Sequence, residues 1–428
     1  MSLTENLYEK FLTCGRVSTD TRSIAEGSLF FALKGERFNG NQFARQALEN
    51  GAAYAVIDEP EHRHNDRCLL VDDALTALQN LAHHHRMTLD IPVIGINGTN
   101  GKTTTKELLH AVLSRKYRTL ATRGNLNNHI GVPLTLLQLT IDTELAIIEL
   151  GANHVGEIAA LCRIAHPTHG LTTNIGKAHL EGFGGLEGAI RGESEQYDYL
   201  RKTGGVVFIN SQDPLLSNMG KRFAQPHYYP APDDYFPCTL VSADPFVVYQ
   251  AEKSDPVETQ LVGAYNFENI AAALCIGKHF EVPSEAANEA VRTYQPANKR
   301  SQVVRQGSNT IILDAYNANP DSMQAAIRNL AAMQAAQKAV ILGDMYELGE
   351  DTEAEHRAVG ELLAAGNVQR VLFCGELMHA AHQACPRSSY FPDKAALEEH
   401  LRQHPIKNST VLLKGSRGMA METLLDTL

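Results

Sequence analysis

Residues Val93–Leu113 place three patterns in immediate succession, and together they leave few folds open. Val93–Asn97 is a short apolar strand. Gly98-Thr99-Asn100-Gly101-Lys102-Thr103-Thr104 is a glycine-bounded turn, and Leu108, Leu109, Val112 and Leu113 mark one face of an amphipathic helix. A strand, a Gly-rich turn ending in Lys-Thr and a helix form the setting of a phosphate-binding loop. Backbone N–H groups from Gly98 to Lys102 would surround phosphate oxygens at the positive end of the helix. Lys102 would reach the β- and γ-phosphates, and Thr103 would offer its hydroxyl to Mg²⁺. The long pattern GxxxxGK[ST] asks for glycine where this chain has Ile96, so this is the shorter GxxGK[ST] form. A plain turn with a surface lysine is the competing reading, and the placement between strand and helix weighs against it.

The same alternation continues downstream. Apolar strand candidates recur at 145–150, 170–175 and 206–210 with helical stretches between them, which implies a mostly parallel sheet. Residues 226–256 are rich in Pro, Asp and aromatics and read as irregular or antiparallel edge structure, before a loop and an Ala-rich helix at 261–279. A second, independent doubly wound pattern follows. Its strands are expected at 310–315, 339–343, 368–374 and 410–414, and its helices at 321–333, 353–365, 394–404 and 419–428. Upstream, strands are expected at 28–33, 53–57 and 68–71, with helices at 42–50 and 74–86. The expectation is an α/β protein of three domains, 1–89, 90–296 and 297–428: a central P-loop parallel-sheet domain and a C-terminal Rossmann-like doubly wound domain behind a smaller N-terminal one. The 428 residues suit that number at roughly 100–200 per domain.

Charge and cysteine usage narrow the class. A net charge of −11 argues against non-specific nucleic-acid binding, which draws affinity from neutralised phosphates. Seven scattered cysteines without a CxxC suggest a reducing compartment. The N-terminus lacks an apolar leader core, and no run of about 18 apolar residues spans a membrane. A cytoplasmic protein is expected, and a monomer. His83, His84 and His85 end a helix, where adjacent side chains point apart, so a solvated helix end is expected rather than a metal site.

Two further residues bear on chemistry. Glu149 sits late on a buried strand, where a carboxylate needs a partner; a cation near the nucleotide is favoured over a buried base. His179 follows the 170–175 strand at the sheet end where ligands collect, and is read as a second metal ligand. With these pieces on the page, the chain resembles the Mur ligases, ATP-dependent amide-forming enzymes of peptidoglycan precursor synthesis. The phosphate loop, Glu149, the Asn174–His179 segment, Asn266–Asn269, Arg300 and Asp314 fall in that family's order. The run Asp314-Ala315-Tyr316-Asn317-Ala318-Asn319-Pro320-Asp321-Ser322-Met323 is similar to the subgroup that adds D-alanyl-D-alanine to UDP-N-acetylmuramoyl-tripeptide. Gly343-Asp344-Met345, Glu347-Leu348-Gly349, His356 and Lys414-Gly415-Ser416-Arg417 match it too.

The resemblance implies roles. The first domain would bind the UDP end of the substrate, with Thr21, Arg22 and Asn39 in matching motifs. The central domain would be the ATPase, and the C-terminal domain would close over ATP and bring the amine. Asn269 would contact adenine, Asp314 the ribose and Arg300 the phosphates. Tyr316, Asn317 and Asn319 would line the interdomain cleft, and Thr122, Asn125, Asn127 and Asn128 would face the substrate peptide. ATP would activate the substrate carboxylate as an acyl phosphate, with Lys102 and one or two Mg²⁺ offsetting the charge. Domain closure would exclude water. The family often has a carbamylated lysine after the His motif; here Glu193 takes that place, with Glu195 as the other alignment, and Glu193 is read as replacing the carbamate. The third residue of the tripeptide, diaminopimelate or lysine, stays open, and so does whether Lys177 touches substrate or solvent. A ligase adding the third residue, or glutamate to folate, is the first competing reading, and the Tyr316–Pro320 run argues against both. A catalytically weak nucleotide-binding paralogue is the second; Glu193 is its only support.

Overall fold

The computed structural model describes residues 2–428. Its centre is a six-stranded, wholly parallel sheet in the order His227–Tyr229, Val206–Asn210, His169–Thr172, Val93–Asn97, Leu145–Glu149, Thr119–Ala121. The strand Val93–Asn97 lies between two neighbours and is buried along its length, as a parallel sheet covered on both faces requires. Alternation sorts its side chains: Ile94 and Ile96 join one core with helices Lys102–Leu113 and Asn266–His279. Val93 joins the other core, with Ile158 and Leu161 of helix Glu157–Ala165. Gly95 and Gly170 have no side chain because Gln196, on helix Leu186–Thr203, fills the space; a Cβ would come within 2.8 and 2.4 Å of its amide.

The N-terminal unit holds a four-stranded parallel sheet, Val17–Ser18, Leu29–Phe31, Tyr54–Ile57, Cys68–Leu70. Its helix Ala74–Met87 shares the second core with the central sheet. The triple-histidine end of that helix departs from the expected solvated end. His85 is buried, with Nε2 2.9 Å from the Leu139 carbonyl, and His83 Nδ1 lies 3.2 Å from the Ile164 carbonyl. The helix end is packed between units, so these imidazoles serve as tethers.

The 226–256 region resolves into an antiparallel sheet of Cys238–Ala243, Phe246–Ala251 and Val257–Val262, completed beyond the expected bounds. Helix Ser284–Thr293, not foreseen, packs behind it. The C-terminal sheet runs Gln302–Gln306, Asn309–Asp314, Thr410–Lys414, Lys338–Gly343, Arg370–Cys374, Ser389–Phe391. Its first strand is antiparallel to the second and the others are parallel. The expected final helix is instead a 3₁₀ segment, Met421–Thr427: its buried residues Met421 and Leu424 recur every three positions, the 3₁₀ period. No helix among the described residues is long and apolar enough to cross a membrane.

Candidate active site

A cavity of about 490 Å³ opens between the central and C-terminal sheets, a size suited to a small-molecule ligand. The turn from Thr99 to Thr104 forms one wall. Two glycines make that turn possible. Gly98 has φ 122°, and a Cβ there would stand 2.3 Å from Thr173 Oγ1 and 2.9 Å from the Thr173 N and Asn174 O backbone atoms. Gly101 has φ 84° and would bring a Cβ to 2.5 Å from Asn269 Oδ1. The strand expected to run through Ile175 stops at Thr172 because the next residues turn onto this loop. Thr173 Oγ1 donates to Asn100 O at 2.6 Å, and Asn100 N donates to Asn174 Oδ1 at 3.0 Å. Lys102 Nζ folds back over the turn and donates to Gly98 O and Thr99 O.

Beside the loop, Thr103 Oγ1 donates to both Glu149 oxygens at 3.1 and 3.3 Å, and Asn127 Nδ2 donates to Glu149 Oε1 at 2.9 Å. A hydroxyl and a carboxylate meeting at the end of a phosphate loop are hard oxygen donors, the kind Mg²⁺ takes. His179 lines the same cavity as Glu149. Its Nδ1 pairs with Glu347, and no group of three His, Cys, Asp or Glu among the described residues is placed to hold a metal ion. Burial pushes the His179 pKa down, against the opposing charge of Glu347.

Glu193 is almost fully buried beneath the turn. Its Oε2 accepts from Gly98 N at 2.9 Å and Asn97 Nδ2 at 2.8 Å. The carboxylate is therefore engaged with the loop from behind and does not line the cavity. Glu195 accepts instead from Gly156 N and Ala159 N at the start of helix Glu157–Ala165, which assigns it to a helix end.

The C-terminal wall brings Arg300, Asp314, Tyr316, Asn317 and Asn319 into the cavity. Arg300 stacks 3.9 Å from the Tyr316 ring centre, and its buried Nε has no hydrogen-bond partner among the described residues. Asp314 Oδ2 pairs with Lys414 at 2.6 Å. Asn319 caps helix Pro320–Ala332 and donates from Nδ2 to Asn100 Oδ1 at 2.8 Å, joining the two domains at the loop. Lys177 is exposed, the solvent side of the two places left open for it, with its Nζ 2.5 Å from Glu355 and its N–H donating to Asp321 at 2.6 Å. Asn269 reaches the cavity with its amide held by Thr105 and Asn266.

Other expected residues fall elsewhere. Asn128 is exposed and accepts from Ile130 N and Gly131 N, capping a turn, whereas Thr122 is buried behind Glu149, accepting its N–H at 3.0 Å, and departs from a substrate-facing position. Thr21, Arg22 and Asn39 lie in the N-terminal unit outside this cavity. Arg22 is exposed and paired with Asp20 at 2.7 Å, while Asn39 donates to Glu59 at 2.8 Å. Asp213 and Glu268 line the cavity without having been singled out from the sequence. A lone carboxylate has no local signature; only the Asp213-Pro214 helix start hinted at order there.

Comparison with known proteins agrees with this architecture. Three family models match: "Mur ligase family, catalytic domain" over residues 14–86, "Mur ligase middle domain" over 96–277 and "Mur ligase, glutamate ligase domain" over 299–417. The UDP-N-acetylmuramoyl-tripeptide–D-alanyl-D-alanine ligase of Bacillus subtilis is 35% identical over 98% of this chain and 94% of its own length. The Escherichia coli protein of that name is 36% identical over 97% and 94%. A crystal structure of MurF from Acinetobacter baumannii superposes with a TM-score of 0.88 at 33% identity, covering 96% of this chain and 92% of that one. MurF ligase from Thermotoga maritima in complex with ADP does so at 0.87 and 26%, with 97% of each chain covered. The likeness spans all three units and the loop that joins them, and the chain belongs to the Mur ligase family.

Proposed function

We propose that this protein is the ligase that joins D-alanyl-D-alanine to UDP-N-acetylmuramoyl-tripeptide at the expense of ATP, where those precursors are made in the cytoplasm. The observation that carries the reading is the single cavity in which the phosphate loop, Glu149 and the Tyr316–Asn319 run face one another. The full-length identity to ligases of that name supports the choice of substrates.

A carboxylate is a poor acceptor for an amine at neutral pH. Its oxygen attacks the γ-phosphorus of ATP, ADP leaves, and an acyl phosphate forms. The amine of the dipeptide then attacks the acyl carbon, phosphate departs, and the amine's surplus proton passes to solvent or base. Lys102 swings from its loop carbonyls to the phosphates, where its charge counts most in the transition state. Thr99, Asn100, Gly101 and Thr104 line the wall along which the phosphate chain would lie, Gly98, whose N–H is taken by Glu193, shapes the turn behind it, and Arg300 brings a guanidinium with one unsatisfied donor. Asp314 and Asn269 lie where the ribose and base extend from the loop. The Thr103 hydroxyl and Glu149 would hold Mg²⁺, which would supply further charge neutralisation. Asn319 and Asn100 hold the C-terminal wall against the loop and keep water out. Thr21, Arg22, Asn39, Asn127 and Asn128 belong to the faces from which the UDP-linked substrate approaches. Glu193 sets the loop from beneath.

Phosphate release dependent on both UDP-N-acetylmuramoyl-tripeptide and D-alanyl-D-alanine tests the reading. Lys102→Ala should lower that rate by about 10²-fold or more. Release that responds to a free diamino acid with the shorter UDP-dipeptide, and not to D-alanyl-D-alanine, would overturn it.

A further inference from the structure

Five carboxylates line the nucleotide cavity: Glu149, Asp213, Glu268, Asp314 and Asp321. Four of them are committed. Glu149 accepts from Thr103 and Asn127, Asp314 pairs with Lys414, and Asp321 accepts from Lys177 N. Asp213 caps helix Pro214–Gly220, accepting from Leu215 N at 2.8 Å and Leu216 N at 3.0 Å. Glu268 is partly buried and has no hydrogen-bond or ion-pair partner among the described residues. We propose that Glu268 reads the nucleotide base, its carboxylate accepting from the exocyclic amine of adenine and turning away bases that carry an oxygen in that place. The proposal rests on the ATP-dependent ligase reading above.

The position comes first. With the phosphates along the turn Thr99–Thr104 and the reacting end marked by Thr103 and Glu149, the nucleoside is left the part of the cavity walled by Asp314 and the start of helix Asn266–His279. Glu268 is the third residue of that helix. Asn269, the next residue, carries the adenine contact in the family resemblance, but here both ends of its amide are engaged. Its Oδ1 accepts from Thr105 Oγ1 at 3.0 Å, and its Nδ2 donates to Asn266 Oδ1 at 2.9 Å. It also packs against the phosphate turn, where a Cβ on Gly101 would stand 2.5 Å from Oδ1. Asn266 in turn donates to Val262 O at 2.8 Å. Asn269 therefore buttresses the turn, and the uncommitted polar side chain at this helix start is that of Glu268.

The chemistry follows from what a lone carboxylate lacks. Burial, reinforced by the charge of Asp213, pushes the Glu268 pKa up. A donated hydrogen bond relieves such a group by favouring its charged form. Carboxylates accept from the exocyclic amines of nucleic-acid bases in the same way. Adenine carries an amine at C6, whereas hypoxanthine and guanine carry an oxygen there. That oxygen would set one acceptor against another and leave both without a donor, the arrangement by which a polar site rejects the wrong ligand.

Calorimetric titration with ADP and with IDP, which has an oxygen in place of the amine at C6, tests the assignment on the full-length protein, Glu268→Ala and Glu268→Gln. The unaltered protein should bind IDP about 30-fold more weakly than ADP, the loss of one hydrogen bond to a charged group. In Glu268→Ala, ADP should bind more weakly and the ratio should shrink to about threefold or less. Glu268→Gln keeps the size of the side chain, and its amide both donates and accepts, so IDP should bind it more tightly than it binds the unaltered protein. An ADP-to-IDP ratio unchanged in both variants overturns base reading by Glu268 and leaves the ligase reading intact. Failure of the unaltered protein to bind either nucleotide overturns the ligase reading and the base reader with it.

Discussion

A buried carboxylate that touches only neutral donors is the most unusual single residue here. Burial pushes the Glu193 pKa up, while Lys102 and the hydrogen bonds from Gly98 and Asn97 oppose it. The side chain ties helix Leu186–Thr203 to the first amide of the phosphate loop. Glu193→Ala should leave two buried donors unsatisfied, at about 1–3 kcal/mol each, and lower nucleotide affinity. Glu193→Gln keeps an acceptor and should retain more of that affinity; equal losses in calorimetric titration with ATP would count against the positioning role. Because a glutamate and not a lysine stands at this position, no side chain is there to be carbamylated, and added bicarbonate should not raise the ligation rate. The identity of Glu193 was plain from the sequence, whereas its direction was not. A residue beneath the loop and a residue inside the cavity are one helical step apart in sequence terms.

At the scale of elements, the loop is where local and tertiary demands coincide. Gly98 needs both a positive φ and the space that Thr173 and Asn174 occupy, and backbone atoms cannot yield as a flexible side chain would. Gly98→Ala should therefore destabilise by about 2 kcal/mol or more, measured by urea unfolding; a loss below about 0.5 kcal/mol would mean the neighbouring strand end relaxes freely. The strand Val93–Asn97 and helix Lys102–Leu113 were legible because period-2 and period-3.6 patterns are local. The edge strand Gln302–Gln306 was not. Its residues are only partly buried and lack an apolar face, so pairing with Asn309–Asp314 defines it.

Across the whole molecule, contacts between units decide both closure and acid sensitivity. Lys177 with Glu355, Asn319 with Asn100 and His179 with Glu347 hold the C-terminal domain over the loop. Where helix Asn266–His279 packs on the central sheet, His169 and His279 face each other Nε2 to Nε2 at 3.2 Å, with the His227 ring 4.9 Å from that of His279. Burial, reinforced by the two neighbouring imidazoles, pushes the His169 pKa down to about 4 from 6.5. His227 and His279 shift the same way, chiefly through burial. A histidine with a depressed folded pKa binds fewer protons in the folded chain. Its stabilising effect is complete above about 6.5 and drains as pH falls toward 4. The thermal midpoint should fall across that window, and His169→Phe should flatten the dependence; an unchanged slope would place the acid sensitivity elsewhere.

From the sequence alone one can read the alternation of strands and helices, the phosphate turn and the residues that mark the family. Each rests on spacing within a single element or on a short motif, and such patterns survive without knowing the fold. Only the tertiary structure assigned Lys177 to Glu355, Asn128 to a turn and Glu193 to the underside of the loop. Those facts depend on segments distant in the chain being pressed together by burial of apolar faces, and no local periodicity encodes which polar side chains meet when that happens.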